Sequence, residues 1–372
     1  KILFAENSGI VFQSKDASIE TVLTDANIEF FNIGIVTESD TLSVINQNEV
    51  FTMTVSRLRD VWYKTSFLLD QKQTANNLAE DRFNNYKNQP LQYIFPSHFT
   101  GKLKDVIASN KEIAMSQVPR NDEKRPKAAI LREKGSNSER EMANAMYLAG
   151  FDVKDVHMTD LISGRETLED IQFIGAVGGF SNSDVLGSAK GWAGAFKYNE
   201  KANTALKKFF ERKDTLSEGI CNGAQLWMEL DLVNPEHDVH GKLTYNDSKK
   251  HESAFTSVKI QKNNSVMLST LAGTTLGVWI SHGEGKFDLP YAEDKYHIVA
   301  KYGYESYPHN PNGSDFNTAM LCDKTGRHLV TMPHIERSTF QWNWAHYPKD
   351  RKDEVSPWLE AFVNARIWIE KQ

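Results

Sequence analysis

A chain of 372 residues, 40% of them hydrophobic and 25% charged, is long enough for two or three domains with a core of ordinary size. The formal net charge of -6, without a long basic run, argues against a nucleic-acid partner. Two cysteines make no disulfide framework and suit a reducing cytosol, and the sequence has neither a signal peptide nor an apolar stretch long enough for a membrane span. We therefore predict a cytoplasmic protein without a membrane partner.

The first 86 residues predict a small α+β layer. Residues 41–55 have the pattern of two strands joined by a turn at 46–48, and residues 57–86 have the apolar spacing of one long helix. The chain begins at Lys1 rather than Met, and an apolar run follows directly. We interpret it as a piece of something longer.

Residues 87–126 predict a linker lying on a surface, because they contain four prolines and a charged run. From residue 127 onward, apolar strands alternate with helices, which predicts an α/β domain over 127–372 with a parallel sheet covered on both sides. The predicted elements of this domain are strands at 128–131, 151–158 and 173–177, helices at 139–150 and 202–212, shorter β segments at 256–261, 277–281, 298–302, 318–321 and 329–332, and a final helix at 357–371.

Cys221 lies between a strand-like approach at 215–220 and a helix-like run at 225–230, with glycines at 219 and 223. A cysteine at a strand–turn–helix junction is typical of a nucleophile elbow, in which glycines permit the tight backbone. The thiol would lie near the N-terminus of the helix, where the dipole favours the thiolate. The alternative is a structural cysteine, since free cysteine is among the most buried residue types.

Gly178, Gly179 and Phe180 follow the third predicted strand of the domain. Active sites of open parallel sheets lie at the carboxyl ends of the strands. Glycine there lets a backbone N–H point at a developing oxyanion, beside the N–H of Asn222, which follows the candidate nucleophile. A plain glycine turn is the alternative interpretation.

His334 and Glu336 follow the last predicted β segment. A cysteine nucleophile needs a base, and the base needs an orienting group. Residues two apart in an extended chain face the same side, so the carboxylate can fix the tautomer of the imidazole and raise its basicity. A lone histidine is usually a packed or surface residue. A His–x–Glu pair that follows a cysteine elbow is a much more specific indication of a catalytic base.

Six motifs occupy residues 129–137, 178–181, 219–223, 281–285, 310–314 and 332–337. In this order along the chain they resemble the class I, triad-type glutamine amidotransferase domain. They resemble in particular the glutaminase domain of the phosphoribosylformylglycinamidine synthase family in its large single-chain form. The resemblance implies a flavodoxin-like α/β fold with a mostly parallel sheet flanked by helices. It also implies that residues 1–86 are the C-terminal remnant of the synthase domain, ahead of the linker at 87–126.

The resemblance implies a role for each catalytic residue. Cys221 attacks the side-chain amide of glutamine, His334 shuttles the proton, and Glu336 orients the imidazole. The backbone N–H groups of Gly179 and Asn222 hold the oxyanion, a glutamyl thioester forms, and water releases glutamate. The implied substrate-binding residues are Gly178, Phe180, Gln225, Ser281, His282 and Gly283.

The resemblance further implies that the complete enzyme passes ammonia to a synthase site, where ATP activates the formyl amide of formylglycinamide ribonucleotide in purine biosynthesis. No metal or cofactor is expected in this chain, whereas ATP and Mg²⁺ are expected in the upstream synthase domain of the same polypeptide. Three positions depart from the usual family pattern. Ser183 stands where the family usually has glycine, Ala224 replaces a second cysteine, and Ile335 replaces a proline.

Two other interpretations remain open from the sequence. One is a stand-alone α/β cysteine amidase or hydrolase, which would share the elbow but would not be expected to carry the motifs at 282–285 and 310–314 together. The other is a docking module with a catalytically silent site, in which residues 1–85 form a packing platform.

Overall fold

The computed structural model of the chain describes residues 9–108 and 125–372. The described helices are α1 (Ser18–Asp25), α2 (Val55–Gln73), α3 (Leu78–Asn85), α4 (Leu103–Ile107), α5 (Glu139–Ala149), α6 (Met158–Ser163), α7 (Lys190–Tyr198), α8 (Glu200–Glu211), α9 (Asn222–Glu229) and α10 (Trp358–Ile369). The described strands are β1 (Thr41–Asn46), β2 (Glu49–Thr54), β3 (Lys127–Arg132), β4 (Asp152–His157), β5 (Phe173–Ala176), β6 (Leu216–Ile220), β7 (Lys242–Thr244), β8 (Glu252–Ile260), β9 (Thr275–His282), β10 (Lys286–Asp288), β11 (His297–Tyr302), β12 (Thr318–Cys322) and β13 (His328–Thr331). Within these described ranges, no helix is both long enough and apolar enough to cross a membrane.

The chain divides into two compact units, Lys1–Ser66 and Phe67–Gln372. In the first unit, β1 and β2 form an antiparallel hairpin that Gln47 turns with a positive φ of 54°. The predicted strand–turn–strand over 41–55 is therefore confirmed. None of the residues described between 9 and 66 is buried. Ile35 and Trp62, for example, are 90% and 80% exposed, so residues 9–66 contain no hydrophobic core of their own.

The single long helix predicted over 57–86 is wrong, because α2 ends at Gln73 and α3 begins at Leu78. Asn76 and Asn77 lie between the two helices with φ angles of 57° and 58°. Asparagine tolerates this left-handed conformation better than most residues with a side chain, so the break needs no glycine or proline.

The second unit is organised around a nine-stranded sheet with the order β4-β3-β5-β6-β13-β12-β11-β8-β9. The first five strands pair in parallel, and their order is that of a flavodoxin-like sheet. The remaining strands continue the sheet through antiparallel pairs. The predicted α/β fold is confirmed, and its parallel half carries the candidate nucleophile at the end of β6.

Helices cover both faces of the parallel half. A Cβ added at Gly175 of β5 would meet Met142 and Met146, which places α5 on one face. A Cβ added at Gly219 of β6 would meet Gly223, which places α9 on the other face. Strand β5 is buried along its whole length, as expected for a parallel strand covered on both sides.

The described part of the predicted linker, residues 87–108, belongs to the second unit and packs into it instead of lying on a surface. The N–H of Ile94 donates to the Thr275 carbonyl at 2.9 Å and its carbonyl accepts from the Thr275 N–H at 3.0 Å, next to β9. Phe99 and Val106 are buried because packing removes their apolar surface from water. Residues 109–124 of this segment lie outside the described residues. The three-part division at 86 and 126 stays a prediction.

A glycine-to-alanine pair tests how closely α9 approaches the sheet. A Cβ at Gly223 would lie 2.0 Å from the carbonyl oxygen of Ala176, and backbone cannot move aside as a side chain can. We expect Gly223→Ala to lower the free energy of unfolding by about 1–3 kcal/mol or more. Gly194 in α7 is the matched control, since its nearest neighbour, Tyr198, lies 4.0 Å away. Alanine there is expected to raise stability by about 0.5–1 kcal/mol. Equal urea midpoints for the two variants would contradict this packing.

Candidate active site

Cys221 lies at a sharp turn between β6 and α9. Its φ of 52° and ψ of -103° are unusual for a residue with a side chain, as is common where function demands a strained backbone. The Cys221 N–H donates to the Thr331 carbonyl at 2.8 Å, and the Cys221 carbonyl accepts from the Gln225 N–H at 3.0 Å. The predicted strand–turn–helix context is therefore confirmed, with the thiol at the N-terminus of α9.

His334 and Glu336 lie in the segment after β13 and reach the same site. The His334 N–H donates to the Trp279 carbonyl at 2.8 Å, which holds this segment against β9. His334 Nδ1 lies 2.6 Å from Glu336 Oε1. A Cβ at Gly178 would lie 2.8 Å from His334 Cε1 and 3.5 Å from Cys221 Cβ, so glycine leaves the space between them open. The structure thus assembles all three residues of the predicted triad.

The charges in this triad stabilise one another. Burial by itself lowers the pKa of His334, but the Glu336 carboxylate and the Cys221 side chain together raise it above its ordinary value. Burial likewise opposes ionisation of Glu336, yet the neighbouring His334 holds the pKa of that carboxyl below its usual range. The pair is therefore an imidazolium and a carboxylate at neutral pH.

Gly179 carries one of the two predicted oxyanion donors. Its φ is 116°, and an added Cβ would lie 2.6 Å from Asn137 N and 2.8 Å from Gly135 O. The Asn137 N–H donates to the Gly178 carbonyl at 2.8 Å, which fixes this backbone. Within the described part of the chain, the Gly179 N–H has no hydrogen-bond partner. Asn222 is the first residue of α9, where backbone N–H groups lack intrahelical acceptors. The oxyanion role of both stays a prediction.

The carboxamide of Gln225 is bonded to protein at both ends. Its Oε1 accepts from Asn222 Nδ2 at 2.9 Å, and its Nε2 donates to the Glu284 carbonyl at 2.6 Å. Asn222 Oδ1 in turn accepts from the Ser181 N–H at 3.1 Å. These contacts tie the start of α9 to the loops at 178–184 and 281–285. A substrate contact by Gln225 stays a prediction and would require it to exchange a partner.

Ser281 lies beside the thiol, and both Ser281 and Phe180 contact His251. The Ser281 carbonyl oxygen is 3.5 Å from Cys221 Sγ, and the Ser281 hydroxyl is 3.0 Å from His251 Nε2. The Phe180 ring lies 5.9 Å from the His251 ring and is half exposed. Of the two predicted substrate-binding residues, Ser281 is therefore beside the nucleophile, and Phe180 contacts a histidine that the sequence did not single out.

His282 is buried, and Asn246 fixes its tautomer. Asn246 Nδ2 donates to the carbonyls of His282 and Lys250, so its Oδ1 accepts from His282 Nδ1 at 3.2 Å. Burial, followed by the charge on His334, lowers the pKa of His282 to about 3. The imidazole is therefore neutral. The Gly283 carbonyl also bonds this asparagine, accepting its N–H at 2.9 Å.

Residues of the motif at 310–314 hydrogen-bond to the loop at 281–285 and hold it in place. Asn312 Nδ2 donates to the Gly285 carbonyl at 2.7 Å and to the Tyr302 hydroxyl at 3.0 Å. The Ser314 hydroxyl donates to Asn312 Oδ1 at 2.8 Å. Burial, and to a smaller degree the nearby Cys221, raise the pKa of Tyr302. Tyr302 and Asn246 were not predicted, because nothing local in the sequence marks either as part of a site.

The loop after Gly179 contains three consecutive residues with positive φ angles: Asn182, Ser183 and Asp184, at 51°, 56° and 50°. Ser183 therefore adopts a left-handed conformation at the position where the sequence departs from the family glycine, at some cost in backbone energy.

Among the residues described, no group of three His, Cys, Asp or Glu side chains is placed to hold a metal ion.

Comparisons with known proteins agree with these observations. Residues 125–369 match the family model of the CobB/CobQ-like glutamine amidotransferase domain. The chain is similar to a probable phosphoribosylformylglycinamidine synthase, chloroplastic/mitochondrial, of Arabidopsis thaliana, with 37% identity over 99% of this chain and 27% of the relative. The Homo sapiens phosphoribosylformylglycinamidine synthase is 36% identical over 99% of this chain and 29% of its own length. The resemblance predicted from the motifs is confirmed.

The solved structure of PurLQS from Thermotoga maritima aligns with a TM-score of 0.52 and 23% identity, over 66% of this chain and 98% of that chain. At this identity the likeness supports the fold alone. The chain spans less than a third of the length of the curated relatives it matches.

The two thiols should differ sharply in reactivity. A chloroketone analogue of glutamine is expected to label Cys221 and spare Cys322, because Cys221 lies at the start of α9 beside the proposed base, His334. Burial and the Asp323 charge, by contrast, raise the pKa of Cys322 to about 12. Peptide mapping identifies the labelled residue, and the urea-unfolded chain treated with iodoacetamide, which should label both thiols, is the control. Label on Cys322 in the folded chain, or on neither cysteine, would refute the assignment.

Proposed function

The chain belongs to the family of CobB/CobQ-like glutamine amidotransferase domains, and on that premise we propose that it hydrolyses glutamine to release ammonia. The observation that carries the proposal is the buried triad, in which His334 Nδ1 lies 2.6 Å from Glu336 Oε1 and the imidazole interacts with Cys221. A base oriented by a carboxylate beside a thiol at a helix N-terminus is the arrangement that nucleophilic acyl transfer needs.

In the proposed reaction the Cys221 thiolate attacks the side-chain carbonyl carbon of glutamine. The negative charge that forms on the carbonyl oxygen faces the N–H groups of Gly179 and Asn222. The His334 imidazolium gives its proton to the leaving nitrogen, so ammonia departs and a glutamyl thioester remains. The neutral imidazole then takes a proton from water, whose oxygen attacks the thioester and frees glutamate and the thiolate.

Substrate binding is assigned to the walls around this thiol. Gly178 leaves the space between His334 and Cys221 open, while Phe180 and Ser281 lie at the side of the site. The further residues proposed to contact glutamine are Gln225, His282 and Gly283. His282 is suited to a neutral polar contact, because burial prevents it from taking up a proton.

For the complete protein, we propose the activity that the relatives' names state, phosphoribosylformylglycinamidine synthesis in the purine pathway. The identity of 36–37% extends over 99% of this chain, which supports the proposal that glutamine hydrolysis supplies a synthase reaction here as well. The ammonia would pass to a synthase domain of the same polypeptide, upstream of this chain, which would bind formylglycinamide ribonucleotide, ATP and Mg²⁺. Glutamine and that synthase domain are the proposed partners, and the cytoplasm is the proposed location.

The first compact unit supports the partnership with a further domain. Residues 9–66 bury no side chain, and both strands of the hairpin expose apolar residues, for example Ile45 and Phe51 at 71% and 60%. Such a segment gains its stability by packing against another surface. We propose that residues 1–86 are the end of the synthase domain, that 87–126 connect it, and that 127–372 form the glutaminase.

The two alternative functions are less well supported. A catalytically silent docking module has no need for an ion pair buried beside a strained cysteine. A stand-alone cysteine hydrolase would not explain a family match over 125–369 together with relatives that extend far beyond this chain.

Substitutions in the triad should reduce glutamine hydrolysis in a defined order. Cys221→Ala is expected to abolish glutamate release, and His334→Ala should lower kcat at least ~10²-fold, since proton transfer to the leaving group is lost. Glu336→Gln should cost less, because this residue orients the base and does not react. Coupled glutamate assays, with thermal unfolding to confirm that each variant is folded, provide the measurement. If Glu336→Gln were more harmful than His334→Ala, the two roles would be wrongly assigned.

The chain by itself should be a poor glutaminase, because free hydrolysis would waste ammonia when no acceptor is bound. The coupling is proposed to act through the 178–184 loop, where a rotated peptide would remove one oxyanion donor, worth roughly 10²–10³ in rate. Glutamate release is measured for the chain alone and for the chain mixed with the upstream synthase portion. Equal rates from a mixture that makes product would show that the oxyanion hole needs no partner.

A further inference from the structure

Glu218 is a buried carboxyl group for which the glutaminase mechanism has no use. It lies in β6, three residues before Cys221, and its exposed fraction is 0%. The described part of the chain offers neither of its carboxyl oxygens a hydrogen-bond partner. Burying an unpartnered polar group in this way is costly, and an ionised one costs far more, so the residue needs a physical explanation.

The side chain of Glu218 points to the face of the sheet that α5 covers. Glu218 pairs with Gly175 of β5, and residues paired across strands face the same side. A Cβ at Gly175 would lie 2.7 Å from Met146 Cε and 3.0 Å from Met142 Sδ, both in α5. The next residue, Gly219, faces α9 instead, where an added Cβ would meet the helix backbone at 2.5 Å. Glu218 is therefore buried on the face of the sheet that α5 covers, opposite to α9.

The catalytic carboxylate reaches the same side of the sheet. Glu336 is flanked by Arg337, whose Nε lies 3.7 Å from Glu336 Oε1 and 3.7 Å from Glu141 Oε1 of α5. Arg337 Nη2 also donates to Asn137 Oδ1 at 2.7 Å, two residues before α5 begins. Glu336 Oε1 faces His334, whereas Oε2 is buried without a hydrogen bond of normal geometry among the described residues. The Ser138 hydroxyl, directly before α5, also lies close enough to this carboxylate to help lower its pKa.

Two buried carboxyl groups with unpartnered oxygens thus lie on the α5 side of the sheet. Burial first, and then the charge on Glu336, raise the pKa of Glu218 well above its ordinary value. Neighbouring carboxyl groups in a dry site cannot both ionise, so one of them keeps its proton. Glu336 is the ionised member, because it faces the imidazolium of His334 and the Arg337 guanidinium.

We propose that Glu218 is a protonated carboxylic acid that donates its O–H to Oε2 of Glu336, directly or through one buried water. This bond satisfies an oxygen on each side and involves an ionised acceptor, which makes it stronger than a bond between neutral groups. Glu218 is then a positioning residue: it touches neither glutamine nor the thiol and acts through Glu336. The proposal rests on the proposed glutaminase, since it assigns a role behind that triad.

Glu218 affects the nucleophile through two charged groups, because Glu336 faces His334 and His334 interacts with Cys221. A hydrogen bond to Glu336 favours its charged form. Without that donor the buried carboxylate takes up a proton more readily, the His334 imidazolium loses its counter-charge, and Cys221 is expected to react more slowly. A substitution of Glu218, three residues before Cys221, is therefore expected to change the reactivity of the sulfur although Glu218 does not contact the substrate.

Two variants of Glu218 separate a hydrogen-bonding role from a packing role. Glu218→Gln keeps the shape and an N–H donor, whereas Glu218→Met keeps the approximate shape and removes the donor. Alkylation of Cys221 by iodoacetamide reports the thiolate without requiring glutamine to bind. We expect Glu218→Met to react about tenfold more slowly than Glu218→Gln, the scale expected for one hydrogen bond to a charged group. Equal rates in the two folded variants would overturn the proposal.

Infrared spectroscopy tests the protonated acid in the unmodified chain. The carbonyl stretch of a buried carboxylic acid should be present at neutral pH, disappear in Glu218→Gln, and shift in Glu336→Gln, where the acceptor has changed. Its absence from the unmodified chain would overturn the proposal even if both Glu218 variants failed to fold. The control is Glu360→Gln, since Glu360 is buried but bonded to His98 and Thr270, and it should leave the band unchanged.

Failure of the glutaminase proposal would look different. In that case the chloroketone analogue would show no saturation and no protection by glutamine, while the iodoacetamide rates and the infrared band would still report on Glu218. Saturable, glutamine-protected labelling together with equal alkylation rates in the two Glu218 variants would instead leave the glutaminase intact and refute the positioning role.

Discussion

The close contact between α9 and the sheet decides where every reacting group of this site lies. Gly223 brings the helix backbone against the Ala176 carbonyl of β5, with no room for a side chain. The chain must therefore turn within one residue, and Cys221 takes the strained backbone that this turn requires. Because β13 lies beside β6, the segment after β13 brings His334 and Glu336 to the same end of the sheet as the sulfur. Backbone packing and strand pairing thus place the three residues of the proposed triad.

The parts of the site that the sequence predicted are those in which a local pattern carries the chemistry. A cysteine between glycines at the end of a strand, and a histidine two residues from a glutamate, can be recognised without a structure. Asn246, Tyr302, His251 and Glu218 could not be recognised, since each acts through partners far away in the chain. The same limit applies to the fold: the alternation of strands and helices indicated the parallel half, but nothing local showed that Asn76 and Asn77 divide one helix into two.

The walls of the site differ in how firmly they are held. On the side of the 281–285 loop, the carboxamides of Asn246, Gln225 and Asn312 each use both their oxygen and their nitrogen. Such groups resist displacement, because moving one leaves a buried polar atom without a partner. On the other side, the backbone of Asn182, Ser183 and Asp184 is strained at three successive residues. We therefore expect the 178–184 loop to rearrange more easily than the carboxamides on the opposite side of the site.

The hairpin of the first compact unit has a consequence for the fate of the chain in a cell. Its apolar side chains are exposed on both strands, and no described residue between 9 and 66 is shielded from water. Chaperones and proteases act on surfaces of this kind, and a chain that presents one is held, refolded or degraded. The proposed synthase domain belongs to the same polypeptide, so a fault in the folding of that domain would leave the hairpin uncovered and would expose the whole polypeptide to degradation.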